Sequence, residues 1–235
     1  MSTQTTDARP ARGRSHALLR VPVLAGIAYL VVWVASQLLG APNLSVAASG
    51  AQVVTSFAGH GGPNMAMFVL AEGITVVALV VVAVAVARAV LHGGAPPRAR
   101  LAARVGAGFA IAAAVLAWVE LALGVWLISA LVPEGRSGTA GTVYHAVTRM
   151  DGAKMFLLAV MVAALSALAL SSPLLPRWLA PLGFVAAAAL VVSGLGWVLL
   201  APGLANSVYV SGVLMVAFVT CTGVTFGLRD GSTDG

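Results

Sequence analysis

Six apolar stretches, each about long enough to cross a lipid bilayer as a helix, constrain this chain more than any other feature. A crossing needs about 20 mostly apolar residues at a rise of about 1.5 Å per residue. Only 9% of the 235 residues are charged, whereas soluble domains carry about 25%. The stretches are Leu18–Leu39, Met65–Leu91, Val105–Val132, Met155–Ser171, Leu179–Leu200 and Val208–Leu228. The sequence therefore predicts an all-α, polytopic membrane protein, a six-transmembrane-helix bundle.

The predicted bundle occupies residues 18–228 as one domain. The polar segments 1–17 and 229–235 are expected to be disordered cytoplasmic tails. The apolar run Val21–Leu39 exceeds the roughly 7–15 apolar residues of a cleaved signal peptide, so we expect a span there. Cys221 is the single cysteine, which excludes an intrachain disulfide and a cysteine-rich metal site.

The basic residues predict the orientation, because short cytoplasmic loops retain lysine and arginine. If the chain crosses the membrane six times, ten of the 13 basic residues lie on the side that holds both termini. Arg136, Arg149 and Lys154 lie on the other side. Both termini are therefore predicted to be cytoplasmic, in a bacterial cytoplasmic membrane, with the lipid bilayer as partner. The net charge of +6 reflects this topology, and no nucleic-acid partner is expected.

Glu72 and Glu120 are the acidic residues inside the predicted spans. A charged group at this depth costs at least about 2.5 kcal/mol and usually faces a protein interior, a water cavity or a partner. No lysine or arginine occupies the middle of a predicted span. We therefore expect Glu120 to be protonated or to share a proton with a second carboxyl. A proton or cation relay and a general acid are the functional interpretations; a hydrogen bond that ties helices together is the structural one.

Other candidate residues surround the two glutamates. Gly26, Tyr29, Trp33 and Gln37 share one face of the first span, and Trp118 and Trp126 flank Glu120, where they would line the same cavity or pack in the core. Asp151 and Lys154, one turn apart, are expected to form an ion pair. The candidate binding residues are Tyr29, Trp33, Gln37, His60, Trp118, His145 and Asp151. The candidate catalytic residues are Glu72 and Glu120, without an assigned reaction.

Two predicted outer connections, Gly40–Asn64 and Pro133–Lys154, exceed twenty residues, a length usually associated with function or local structure. The spacing in Ser45–Phe57 predicts a short interfacial helix. Tyr144–Lys154 is predicted to be helical and to continue into the fourth span. Whether these connections form a lid stays open.

Recognised chemical motifs do not accompany the glutamates. A Walker A loop, a GxSxG elbow, a Rossmann fingerprint and an HExxH pair are absent. A metal site built from His60, His145 and a carboxylate is an alternative, but no ligand spacing favours it, and we predict no metal and no cofactor. Enzyme activity is uncertain, and a non-enzymatic role is favoured.

Short motifs give the chain a family resemblance. Arg20 precedes an Ala25, Gly26 and Tyr29 pattern, an alanine-rich amphipathic segment covers Val46–Val54, and a Leu-Pro-Arg-Trp-Leu turn covers Leu175–Leu179. In these features the chain resembles the bacterial domain-of-unknown-function family numbered 4386. The resemblance implies six spans and brings no catalytic residues.

Three functions remain open at the level of sequence. The first is a non-enzymatic accessory, sensor or interaction protein, with a small apolar ligand or a membrane partner protein. The second is a proton- or cation-coupled small transporter that uses Glu72 and Glu120. The third is a membrane-embedded enzyme that acts on an isoprenoid or lipid with a glutamic acid as general acid.

Overall fold

The described part of the chain is helical, as its apolar stretches predict. The computed structural model describes residues 13–39 and 44–230, and these ranges contain no strand. Six helices are long and apolar enough to cross a membrane. We call them the first to sixth spans: Gly13–Leu39, Gly61–His92, Pro97–Leu131, Ser137–Ser171, Leu179–Val198 and Val208–Asp230. A loop helix, Gly50–Ala58, lies between the first two spans, and a single turn, Pro202–Ala205, precedes the sixth.

The all-helical class and the six helices long and apolar enough to cross a membrane are confirmed, but several boundaries differ from the prediction. The first span begins at Gly13 rather than Leu18, and the last continues to Asp230; the rest of the predicted tails, 1–12 and 231–235, lies outside the described residues. The fourth span begins at Ser137, not Met155. The prediction that Tyr144–Lys154 is helical and continues into the fourth span is confirmed, whereas the Gly/Ser/Thr-rich stretch from Ser137 to Thr142, predicted to be a loop, belongs to the same helix.

The spans pack in a ring, in which each contacts the next along the chain and the sixth contacts the first. Thr220 of the sixth span donates a hydrogen bond of 3.0 Å to the carbonyl oxygen of Gly26 in the first. The fourth and fifth spans meet at Gly152 and Gly194, where a Cβ on Gly152 would lie 2.9 Å from the Gly194 carbonyl oxygen. Such close approach is typical of small residues between membrane helices.

The inside and the outside of the ring are both apolar. The interior near the chain termini is filled by side chains such as Val82, Val86 and Phe218, each at most 2% exposed. The exterior carries large apolar side chains that are more than half exposed, such as Leu24, Val115 and Val185. A helix of a soluble bundle presents polar residues on its outer face instead.

The predicted short helix after the first span is present, although it begins at Gly50 rather than Ser45. Ser49 and Gln52 form a capping box at its start, which satisfies two backbone donors. Val53 and Phe57 are buried against the end of the third span and the start of the fourth. We call this end of the ring the loop-helix end.

Candidate functional site

Lys154 lies at the midpoint of the fourth span, 17 residues from Ser137 and 17 from Ser171. The expectation that no basic residue occupies the middle of a span is therefore wrong. Hydropathy placed the start of the span at Met155 because the residues before it are polar or small. Those residues are nevertheless helical, and Gly141, Val143 and Val147 are buried against the loop helix and its neighbours.

The Lys154 ammonium contacts three carboxylates from three spans. Its Nζ lies 2.5 Å from Glu72 Oε2, 2.6 Å from Glu120 Oε2 and 2.7 Å from Asp151 Oδ1. The Glu120 side chain is 1% exposed, and those of Lys154, Glu72 and Asp151 are 10%, 17% and 20% exposed. The predicted pair of Asp151 and Lys154 is confirmed. We call these four residues the Lys154 cluster.

A π-helical segment, Val69–Thr75, carries Glu72. Thr75 Oγ1 donates a hydrogen bond of 2.8 Å to the carbonyl oxygen of Leu70, five residues earlier. A π-segment widens one turn and so changes the direction of the side chains on it; such segments are frequent at functional sites. The Glu72 carboxylate is therefore positioned by a local irregularity that helical periodicity does not predict.

The Lys154 cluster has more acidic than basic groups. Three negative charges and one positive charge leave a net charge of −2 when all four groups are ionised. Glu120 Oε1 is buried and has no hydrogen-bond partner among the described residues. Uncompensated negative charge in a buried site is costly, so the cluster has the capacity to take up a proton or another cation.

A cavity of about 540 Å³ extends from the loop-helix end past the Lys154 cluster to Leu79, Ala113 and Leu158, which lie beyond the cluster. All four residues of the cluster line it, with contributions from each of the six spans. Leu44, Val46 and Phe57 form part of the wall at the loop-helix end. The remaining wall is mostly apolar, and the volume is within the range of about 300–1,000 Å³ typical of small-molecule sites.

Several of the residues that the sequence analysis selected as candidates lie in the wall of this cavity. Tyr29, Trp33 and Gln37 of the first span do so, as do both glutamates and Asp151. Gly26 lies on the same helical face but packs against the sixth span at Thr220. The shared face of the first span is thus divided between the cavity and a helix contact.

Trp118 does not line the cavity, and the prediction that it does is wrong. It is 55% exposed on the outside of the ring, and Trp126 is 44% exposed, so core packing is also wrong for both. Residues two apart on an α-helix point about 200° apart at 3.6 residues per turn. Because Glu120 faces inward, Trp118 must face outward.

The two candidate histidines lie away from the cluster and do not line the cavity. His145 Nε2 is 3.0 Å from the Ala48 carbonyl oxygen, and the Tyr144 hydroxyl donates a hydrogen bond of 3.1 Å to that of Ser45. These contacts attach the segment before the loop helix to the fourth span. His60 Nδ1 is 3.2 Å from the Ser56 carbonyl oxygen, so the two histidines have backbone partners.

Among the described residues, the group of side chains with metal-ligand spacing is instead Glu72, Glu120 and Asp151. One carboxylate oxygen from each lies within 4.8 Å of the others. Oxygen ligands of this kind suit hard cations. The Lys154 ammonium already occupies the position between these oxygens, since it is within 2.7 Å of all three.

The sequence predicted Lys154 only as an ion-pair partner of Asp151 and not as the central residue of the site. One signal could have found it: this chain has twelve arginines and one lysine. The one lysine lies at the edge of an apolar run, three residues after an acidic residue, Asp151. Asn64 and Thr75, which also line the cavity, carry no comparable signal.

Comparison of the chain with family models, with curated proteins and with solved structures gave no match.

Proposed function

We propose that this chain is a multi-pass protein of the bacterial cytoplasmic membrane that moves a small molecule through the cavity in exchange for protons. The contact of Lys154 with three carboxylates in the wall of the cavity carries the proposal. Six long apolar helices and an apolar exterior favour insertion in lipid. The distribution of arginines favours cytoplasmic termini. The resemblance to family 4386 stays a prediction.

Proton exchange follows from the charge of the Lys154 cluster. Its excess carboxylates favour a bound proton while the cavity is empty. A ligand that reaches the same carboxylates competes with that proton, which then leaves for water. The titratable groups of this proton exchange are Glu72, Glu120, Asp151 and Lys154. The Tyr29 side chain lines the same cavity.

Proton movement in proteoliposomes tests this function with simple probe compounds. Vesicles with a pH-sensitive dye inside would receive phenyltrimethylammonium, benzyl alcohol or benzenesulfonate, which share a benzene ring and differ in charge. At least one of them should change the internal pH in vesicles with protein and leave empty vesicles unaffected.

The matched variants are Glu120→Gln, which removes a cluster carboxylate, and Trp118→Phe, which changes an outward-facing side chain of the same span. Glu120→Gln should abolish the pH change, whereas Trp118→Phe should retain it. No pH change with any of the three compounds, or an unchanged response in Glu120→Gln, contradicts the transport proposal.

A non-enzymatic accessory or interaction role is the second candidate, because the Lys154 cluster links the second, third and fourth spans. In that role the cluster would only hold the helices together, with a small apolar ligand or a membrane protein as partner. Loss of thermal stability in Glu120→Gln without any ligand-driven proton movement would favour it. The enzyme proposal is weaker, because no recognised catalytic motif accompanies the glutamates.

A further inference from the structure

We propose that the cavity takes an organic cation with an apolar body, such as a quaternary or protonated amine. The inference rests on the proposed function, since it names the ligand class of the same cavity. Its observations are the saturated Lys154 ammonium, the buried oxygen of Glu120 that lacks a partner, and the aromatic cavity walls.

Lys154 is not available to bind an anion. An ammonium group has three N–H donors, and three carboxylate oxygens lie within 2.7 Å of Nζ. Among the described residues that line the cavity, Lys154 is the one basic side chain. An anionic ligand would therefore have to break an ion pair and approach three acidic groups.

The acidic groups, by contrast, have capacity for a further positive charge. Glu120 Oε1 is buried and without a hydrogen-bond partner in the described chain, and Glu120 lines the cavity. A cation close to the cluster would reduce its net charge from −2 to −1. In a low dielectric this attraction is stronger than in water.

The walls suit the apolar body of such a ligand. All three tyrosines of the chain line the cavity, together with aromatic side chains such as Trp33, Phe68 and Trp197. Aromatic rings attract cations through the negative face of the ring, and groups of aromatic residues recognise quaternary ammonium compounds in this way. The acidic cluster and the aromatic walls therefore select the same ligand class.

Equilibrium dialysis of the purified full chain tests this inference with three compounds of one shape. Phenyltrimethylammonium is the cation, tert-butylbenzene is its neutral counterpart of equal size, and benzenesulfonate is the anion; micelles without protein correct for partition. We expect the cation to bind at least about tenfold more tightly than either of the others, equivalent to about 1.4 kcal/mol. Equal binding of all three, or tighter binding of the anion, overturns the inference.

Variants separate the cluster from general apolar binding. Asp151→Asn, the most exposed carboxylate of the cluster, should weaken cation binding about tenfold and leave tert-butylbenzene unchanged; an equal loss for both compounds overturns the inference. The wild-type comparison decides the question if Asp151→Asn does not fold. Selective cation binding without proton movement refutes transport and supports the ligand class. Proton movement driven by benzenesulfonate supports transport and refutes the organic cation as the ligand class.

Discussion

At the scale of single residues, the site depends on the choice of lysine at position 154. A lysine ammonium is compact and can direct three donors to three separate acceptors, whereas an arginine guanidinium is a planar fork suited to two oxygens of one carboxylate. Here the acceptors come from Glu72, Glu120 and Asp151. This geometry accounts for a lysine in a chain that otherwise uses arginine.

Removal of this ammonium should destabilise the protein strongly. Lys154→Met keeps the volume of the side chain but leaves the buried Glu120 and the partly buried Glu72 and Asp151 without their cation, so the free energy of unfolding should fall by about 3–5 kcal/mol. Thermal unfolding in detergent, followed by helical circular dichroism, measures the effect. Arg136→Met is the control, because the Arg136–Glu134 pair is 56% exposed on both sides and such pairs contribute about 0–1 kcal/mol.

A double variant identifies the cause of that loss. Lys154→Met combined with Glu120→Gln removes a positive and a negative charge together, so it should be more stable than the sum of the two single effects predicts. If the two single effects simply add, charge compensation is not the reason for the loss.

The residue scale also shows what periodicity could have predicted. Trp118 and Glu120 are two positions apart, and an α-helix places such residues on nearly opposite faces. The sequence alone was therefore sufficient to exclude Trp118 from the cavity. The contact of Lys154 with Glu72 is different, because these residues are 82 positions apart and only the packing of two spans brings them together.

At the scale of elements, the loop helix and the start of the fourth span depend on each other. The stretch from Ser137 to Thr142 is rich in Gly, Ser and Thr and is typical of a loop, yet it is helical. Gly141 packs directly against Gly50, where a Cβ on Gly141 would lie 2.9 Å from the Gly50 Cα. The contact between Gly141 and Gly50 thus outweighs the weak preference of this stretch for a loop.

Enlargement of this contact should detach the loop helix. Gly141→Ala brings the new methyl group against the Gly50 backbone, and overpacking of this kind costs about 1–3 kcal/mol. Amide hydrogen exchange over residues 50–58 should become faster. Gly138→Ala, one turn earlier, should leave that exchange unchanged, because its new methyl group meets no neighbouring element within 4 Å.

An equal exchange rate in wild type and Gly141→Ala would show that the close contact does not hold the loop helix. Faster exchange in Gly138→Ala as well would indicate a general sensitivity of this turn. Either outcome contradicts the mutual dependence proposed for these two elements.

At the scale of the whole molecule, the ring closes because the first span packs against the sixth. With six spans, the described ends of the chain lie at the same end of the ring, opposite the loop helix. The hydrogen bond from Arg229 to the Pro173 carbonyl oxygen, 3.0 Å, places the last turn of the sixth span beside the connection between the fourth and fifth. The described ends of the chain therefore lie at one end of the ring and the loop helix lies at the other.

Reporter fusions test which end faces the cytoplasm. A green fluorescent protein at either terminus should fluoresce, and alkaline phosphatase inserted in the connection around Gly135 should be active, because the arginine-rich end is retained inside. Phosphatase inserted between Pro173 and Pro176 should be inactive and serves as the control. The opposite pattern of activity contradicts the predicted orientation.

The sequence by itself determined the class of the protein, because length and hydropathy are local properties that each span carries alone. It also selected Glu72, Glu120 and Asp151, since charge inside or beside an apolar run is visible without a fold. Only the tertiary structure placed Lys154 between them and opened a cavity beside them. Contacts between distant spans depend on helix rotation, on a π-segment and on small residues at helix crossings, and no local pattern specifies these together.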